Sequence, residues 1–212
     1  MIKLLLLRIK IHKMSLRKAY FLIFLVLLVD QISKIYVKTN FILGEEVEVF
    51  NWFKIHFIEN EGMAWGTKIP GEYGKLILTV FRIFAVFGIA YWLADSIKKR
   101  HSNYLIVSIA LILAGAAGNI VDSVFYGVIF DDSSNNLATL FSPEPYGTWF
   151  HGLVVDMFYF PIWEGNLPAW IPFFGGKHFM FFNAIFNIAD MAISTGVGIL
   201  LFFNKRAFPK TT

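Results

Sequence analysis

The stretch YFLIFLVLLVDQISKIYVK, residues 20–38, decides the fold. Its first half is unbroken aliphatic and aromatic, and Asp30, Lys34 and Lys38 then follow at helical spacing. A helix needs roughly 20 mostly apolar residues to cross about 30 Å of hydrocarbon. Residues 17–39 meet that requirement, and so do 74–96, 103–126 and 180–203. The predicted fold class is a mainly α membrane protein with four transmembrane helices.

Composition agrees. The 212 residues are 57% hydrophobic and 16% charged, against about 25% charged in soluble domains. There is no cysteine, which excludes a disulfide framework, a thiol nucleophile and a cysteine-ligated metal. The net charge of +4 does not point to nucleic acid, because the basic residues follow the membrane topology instead. Lys3, Arg8, Lys10, Lys13, Arg17 and Lys18 precede the first span; Lys98, Lys99 and Arg100 join the second to the third; Lys205, Arg206 and Lys210 follow the fourth. The two long connections, 40–72 and 127–179, are acid-rich. By the positive-inside rule both termini are expected in the cytoplasm and the long loops outside.

One domain is expected over residues 14–205, with a basic extension at 1–13 and a cytoplasmic tail at 206–212. The first span has no small-residue cleavage site, so it reads as retained. The outer loop 40–72 holds β-like runs at Glu46 to Phe50 and Phe53 to Ile58. The segment 127–179 mixes prolines with many aromatics. That mixture suits an irregular element at the headgroup level, where amphipathic rings settle.

Ionisable groups inside spans are expensive and mark functional sites. They are Asp30, Lys34 and Lys38 in span one, Arg82 in span two, Asp122 in span three and Asp190 in span four, accompanied by Asn119 and Asn187. At about 1.5 Å per residue, Asp30 and Asp190 lie about 15 Å from the outer ends of their helices and Asp122 about 6 Å. All fall in the outer half of the bilayer. Blander readings exist for most. Asp30 and Lys34 are i,i+4 neighbours that neutralise one another, Lys38 snorkels outward, Arg82 pairs with a carboxylate, and the two asparagines act as interhelical glue. Asp190 has no base within one turn. Two carboxylates brought together share a proton, so that one activates water while the other donates. Neither H-E-x-x-H nor G-x-S-x-G occurs, and the histidines His56, His101, His151 and His178 are scattered.

Five motifs occur in chain order: Asp30-Gln31-Ile32-Ser33-Lys34; Asn60-Glu61-Gly62-Met63-Ala64-Trp65-Gly66; Gly115 through Gly118 to Asn119 and Asp122; Val154-Val155-Asp156; and Phe186-Asn187-Ile188-Ala189-Asp190. This ordered set resembles the lipoprotein signal peptidases, the type II family of membrane aspartic peptidases. The resemblance implies an extracytoplasmic β-like cradle, a short interfacial helix and a strand delivering Asp156. It implies Asp156 and Asp190 as the catalytic pair, with Asp30, Lys34, Asn60, Gly62, Gly115, Asn119, Asp122 and Asn187 shaping the substrate site. The implied substrate is a diacylglyceryl-modified prolipoprotein, cleaved on the amino side of its lipidated cysteine at the outer leaflet of the bacterial inner membrane. No metal or organic cofactor is implied, no nucleic acid is expected, and a monomer in contact with membrane lipid is expected. Two departures stand out. Ser123 replaces the arginine usual in the family, and 127–179 exceeds the family's usual connection, its stretch 131–148 reading as a lid, a partner surface or a passive insertion. A proton-coupled transporter would instead spread polar groups through the whole membrane depth. A structural subunit would leave Asp156 unexplained.

Overall fold

A computed structural model describes residues 14–61, 70, 71 and 73–209. The 1–13 extension, Gly62 with the rest of 63–69, and the end of the tail lie outside the described residues. Four apolar helices carry the fold: α1 (Leu16–Asn40), α2 (Gly74–Lys98), α3 (Asn103–Val121) and α5 (Ile188–Phe202). The third span is prolonged by a π-helical turn, Asp122–Tyr126, and by α4 (Gly127–Ile129), while a short α6 (Asn204–Ala207) follows α5. Ser15 and Ser102 cap α1 and α3, their hydroxyls accepting from the Lys18 and Leu105 amides.

Helix α3 is central and touches α1, α2 and α5. Its small residues permit this. A Cβ on Gly115 would run into the Ala189 carbonyl oxygen, and one on Gly118 would meet Asp30 Oδ2 at 2.7 Å. Ala19, Ile23, Leu93, Ile106, Ile109 and Ala110 fill the space between the helices. Phe21, Phe24, Phe81, Phe84 and Phe87 are exposed on the outer faces of α1 and α2, where lipid would meet them.

Outside the helices lies a four-stranded antiparallel sheet in the order β1 (Glu46–Phe50), β2 (Phe53–Asn60), β3 (Val154–Tyr159) and β6 (Ile185–Phe186). A second core, with Val37, Phe57, Tyr126, Phe130, Val155 and Met157, seats this sheet on α1 and the end of span three. A separate ribbon pairs β4 (Trp163–Asn166) with β5 (His178–Phe181). Among the described residues of the outer segments no separate interfacial helix is seen.

Three expectations need correction. Span four does not begin as a helix at residue 180, because β5 and β6 occupy that part and Asn187 starts the helix through a capping box. Asp190 therefore sits in the first turn of α5, not about 15 Å along it. The segment 127–179 is also less irregular than expected, since it contains β3, β4 and the beginning of β5. Lys38 does not snorkel. It is fully buried, pairs with Glu59, donates to Ser133 Oγ at 2.7 Å and lies 4.9 Å from the Tyr146 ring centroid.

The chain from residue 131 to residue 152 closes down on span three. Amides of Gly152, Phe150, Gly147, Ser142 and Tyr146 donate to the carbonyls of Ser123, Val124, Gly127, Ile129 and Phe130 at 2.8–3.2 Å. The last carbonyls of a helix have no partner within it, and here the 131–152 segment supplies one. It caps the end of span three. Ser123 is fully buried beneath it, its hydroxyl turned back on the Asn119 carbonyl at 3.0 Å.

Gly115→Ala should cost about 1–3 kcal/mol by overpacking against α5, measured by thermal unfolding in detergent. Gly88→Ala, where a Cβ meets nothing within 4 Å, should cost nothing.

Candidate active site

The site begins with two strand residues. Across β2 and β3, Ile58 lies opposite Asp156 and Asn60 opposite Val154, which makes Asn60 and Asp156 diagonal neighbours on one face. The Asn60 amide donates to Asp156 Oδ2. On the other side β3 pairs with β6, setting Phe186 opposite Phe158. The next residue, Asn187, ends the sheet and caps α5. Its Oδ1 accepts from the Asp190 amide at 2.9 Å, and Asp190 Oδ2 accepts from the Asn187 amide at 3.4 Å. Two residues that are 34 positions apart are thus joined by one strand pair and one helix cap.

Asn187 also links the two carboxylates. Its Nδ2 donates to Asp156 Oδ1 at 2.6 Å, with the Val155 carbonyl at 3.2 Å and Asn119 Oδ1 at 3.1 Å. Asn119 Nδ2 in turn donates to Asp190 Oδ1 at 2.9 Å. Lys34 sets the orientation of Asn119, because its ammonium donates to Asn119 Oδ1 at 2.8 Å. The opposite amide orientation would turn a donor against that cation.

Lys34 is wholly buried and holds Asp30 Oδ2 at 3.0 Å and Asp122 Oδ2 at 2.8 Å. Three donors meet three acceptors. Asp30 Oδ1 accepts from the Ala189 amide at 2.8 Å, so a carboxylate from span one satisfies a free N–H of α5 and complements its dipole. Asp122 Oδ2 lies 3.3 Å from the Val155 amide, next to Asp156 on β3. Span one and span three therefore position the helix and the strand that carry Asp190 and Asp156.

Sequence reasoning assigned no role to Gln31, yet it completes this layer. Its Nε2 donates to Asp122 Oδ1 at 2.9 Å and Asp30 Oδ2 at 3.1 Å, while its Oε1 accepts from the Tyr126 hydroxyl at 3.1 Å. The signal was available as a polar amide directly after Asp30 in an apolar span.

The match to known proteins decides the family. Residues 22–204 match the family described as Signal peptidase (SPase) II. A lipoprotein signal peptidase of Porphyromonas gingivalis is 51% identical over 182 residues, covering 85% of this chain and 79% of that one. Another, of Amoebophilus asiaticus, is 36% identical over 90% of this chain and 78% of its own length. The chain belongs to the signal peptidase II family. It is accordingly a multi-pass membrane peptidase. A solved structure described as a bacterial membrane enzyme at 1.9 Å resolution agrees in fold, with a TM-score of 0.62 and 24% identity over 93% of this chain and 99% of the other.

Within this signal peptidase II fold the expected site residues divide by what they touch. Asp156, Asp190, Asn60, Asn119 and Asn187 form one connected set, with Asp190, Asn60 and Asn119 partly exposed. Asp30, Lys34 and Asp122 form the buried layer behind it. Gly115 faces the backbone of α5 and serves helix packing. Gly62 lies outside the described residues. Among the described residues no group of three or more histidine, aspartate or glutamate side chains is placed to hold a metal.

Burial, reinforced by the neighbouring Asp190 charge, pushes the Asp156 carboxyl up to about 8. The folded chain then binds this proton more tightly than the unfolded chain, whose aspartates titrate near 3.9. Its contribution to stability falls as pH rises through that interval and levels off above about 8. If the protonated form of Asp156 is the working one, kcat/KM should decline above pH about 8, read as the basic limb of a pH–rate profile. Lys34→Met, which leaves Asp30 and Asp122 buried without a cation, should cost about 3–5 kcal/mol in chemical denaturation.

Proposed function

We propose that the chain is an aspartic endopeptidase that removes the signal peptide from diacylglyceryl-modified prolipoproteins. The observation that carries this reading is the Asp156–Asn187–Asn119–Asp190 relay, which ties two carboxylates into one hydrogen-bonded unit. Such a pair holds a single proton near neutrality, and one member abstracts while the other donates.

Asp156 is the group that carries the proton, because it is the one buried against a neighbouring negative charge. Asp190 is then the base. It takes a proton from a water lying between the carboxyls, and that water attacks the scissile carbonyl carbon. Asp156 donates to the carbonyl oxygen as the tetrahedral intermediate forms. Collapse of the intermediate breaks the C–N bond: the leaving amine receives a proton from Asp190, and a gem-diol hydroxyl returns its proton to Asp156 as the new carboxyl forms, which restores the starting state. No acyl-enzyme forms. Asn60 and Asn187 hold Asp156, and Asn119 holds Asp190, so the carboxyls stay at fixed separation through the cycle. Asp30, Lys34 and Asp122 act as positioning residues, since the protein itself fills their contacts.

A scissile bond next to a lipid-bearing cysteine lies at the outer leaflet, where α5 begins and the sheet meets the spans. The site then lies on the extracytoplasmic side of the inner membrane, with both termini cytoplasmic, and the enzyme acts as a monomer. The orientation rests on the basic residues Arg17, Lys18, Lys98, Lys99, Lys205 and Arg206 at one end of the helices.

Purified enzyme with a diacylated prolipoprotein tests the reading by the mobility shift on loss of the signal peptide. Asp156→Asn and Asp190→Asn should each reduce cleavage by roughly 10²- to 10⁴-fold or more while the protein stays folded. Full activity in either would sink the assignment.

A further inference from the structure

The β4–β5 ribbon is two-faced. In an antiparallel pair, residues directly opposite share a face, and the register sets Trp163 opposite Phe181, Gly165 opposite Phe179, Glu164 opposite Met180 and Asn166 opposite His178. One face is therefore Trp163, Gly165, Phe179 and Phe181. The other holds Glu164, Asn166, His178 and Met180, with His178 Nε2 3.1 Å from Glu164 Oε1 and Met180 taken by the Tyr159 hydroxyl at 2.9 Å. That last contact fixes the ribbon to the sheet at one point, and both faces are otherwise open: Glu164, Asn166 and His178 are exposed on one, Trp163, Phe179 and Phe181 on the other. Gly165 carries no Cβ, and one added there would meet the Trp163 ring at 3.1 Å.

The turn joining the strands adds further exposed rings. Trp170 is 79% exposed and Phe173 91%, and the Lys177 ammonium lies 5.4 Å from the Phe174 ring centroid. Exposed aromatics this concentrated are rare on a surface that faces water. Rings with a polar or cationic neighbour are the composition of the membrane–water interface.

Helix length says how deep this ribbon lies. The 15 residues of α5 cover about 22 Å at about 1.5 Å per residue, short of the roughly 30 Å of hydrocarbon. The remainder falls to the chain immediately before Ile188. That chain is β5 and β6, with Phe179, Phe181 and Phe182 exposed.

We propose that the β4–β5 ribbon dips its aromatic face and its 168–177 turn into the outer leaflet, docking on lipid beside the start of span four. Trp163, Phe179, Phe181, Trp170 and Phe173 contact acyl chains, and Lys177 meets headgroup phosphate. The ribbon completes the outer part of span four and anchors the strand that leads into the cap of α5.

The absence of cysteine allows single-site labelling. The variant Ala169→Cys, at an exposed position of the turn, is labelled with an environment-sensitive fluorophore. The control is Asn135→Cys, exposed in the capping segment. Both are reconstituted in phosphatidylethanolamine–phosphatidylglycerol vesicles, with lipids brominated on the upper acyl chain or with aqueous iodide. The label at 169 should be quenched by bromolipid and protected from iodide, with the reverse at 135. Adding Trp170→Ser and Phe173→Ser should return the label at 169 to iodide. Iodide quenching without bromolipid quenching in the unaltered turn would overturn the proposal. Protection from both quenchers would also overturn it, because protein rather than lipid would then cover the ribbon.

Discussion

One buried ammonium group organises this molecule. Lys34 touches carboxylates from span one and span three and an asparagine from span three, and it is sealed from solvent. Bringing a charge into such surroundings is costly unless opposite charge and hydrogen bonds compensate. Here each partner is itself held elsewhere, so the compensation is structural as well as electrostatic. Asp30 reaches the α5 amide, Asp122 reaches the β3 amide, and Asn119 reaches Asp190. Removing the cation would leave two like charges facing each other beneath Asp156 and Asp190.

The proposed catalytic pair is assembled from a helix and a strand. Asp190 belongs to a capped helix packed on Gly115 and Gly118, where main chain approaches closely. Asp156 belongs to a central strand with β2 on one side and β6 on the other. The relay through Asn187 and Asn119 couples sheet to helix. That coupling matters for acid–base chemistry, because a shared proton requires the two carboxyls to stay close without both ionising.

Much of this was legible beforehand, for identifiable reasons. Spans one to three declare themselves by apolar length, and the matching depth of Asp30, Asn119 and Asp122 follows from helical rise. The outer end of span four does not. The run around Phe181, Phe182 and Ile185 is apolar, and a short apolar run fits strand and helix alike. The cap signature at Asn187 and Asp190, an asparagine with a carboxylate three residues on, was the better guide. Lys38 misled because a lysine near a helix end ordinarily reaches water. Glu59 from β2, together with Ser133 and Tyr146 from the 131–152 segment, supplies a dry partner set. The same segment explains how Ser123 is accommodated, since Gly152 donates to its carbonyl where a large side chain would have no room.

The central claim is that Asp156 carries a proton at neutral pH while joined to Asp190 through Asn187 and Asn119. Infrared difference spectroscopy of the protonated carboxyl stretch, wild type minus Asp156→Asn in vesicles, tests it most directly. A band present at neutral pH and lost through pH about 8 is the expected result. A difference spectrum without that band at neutral pH would contradict the account.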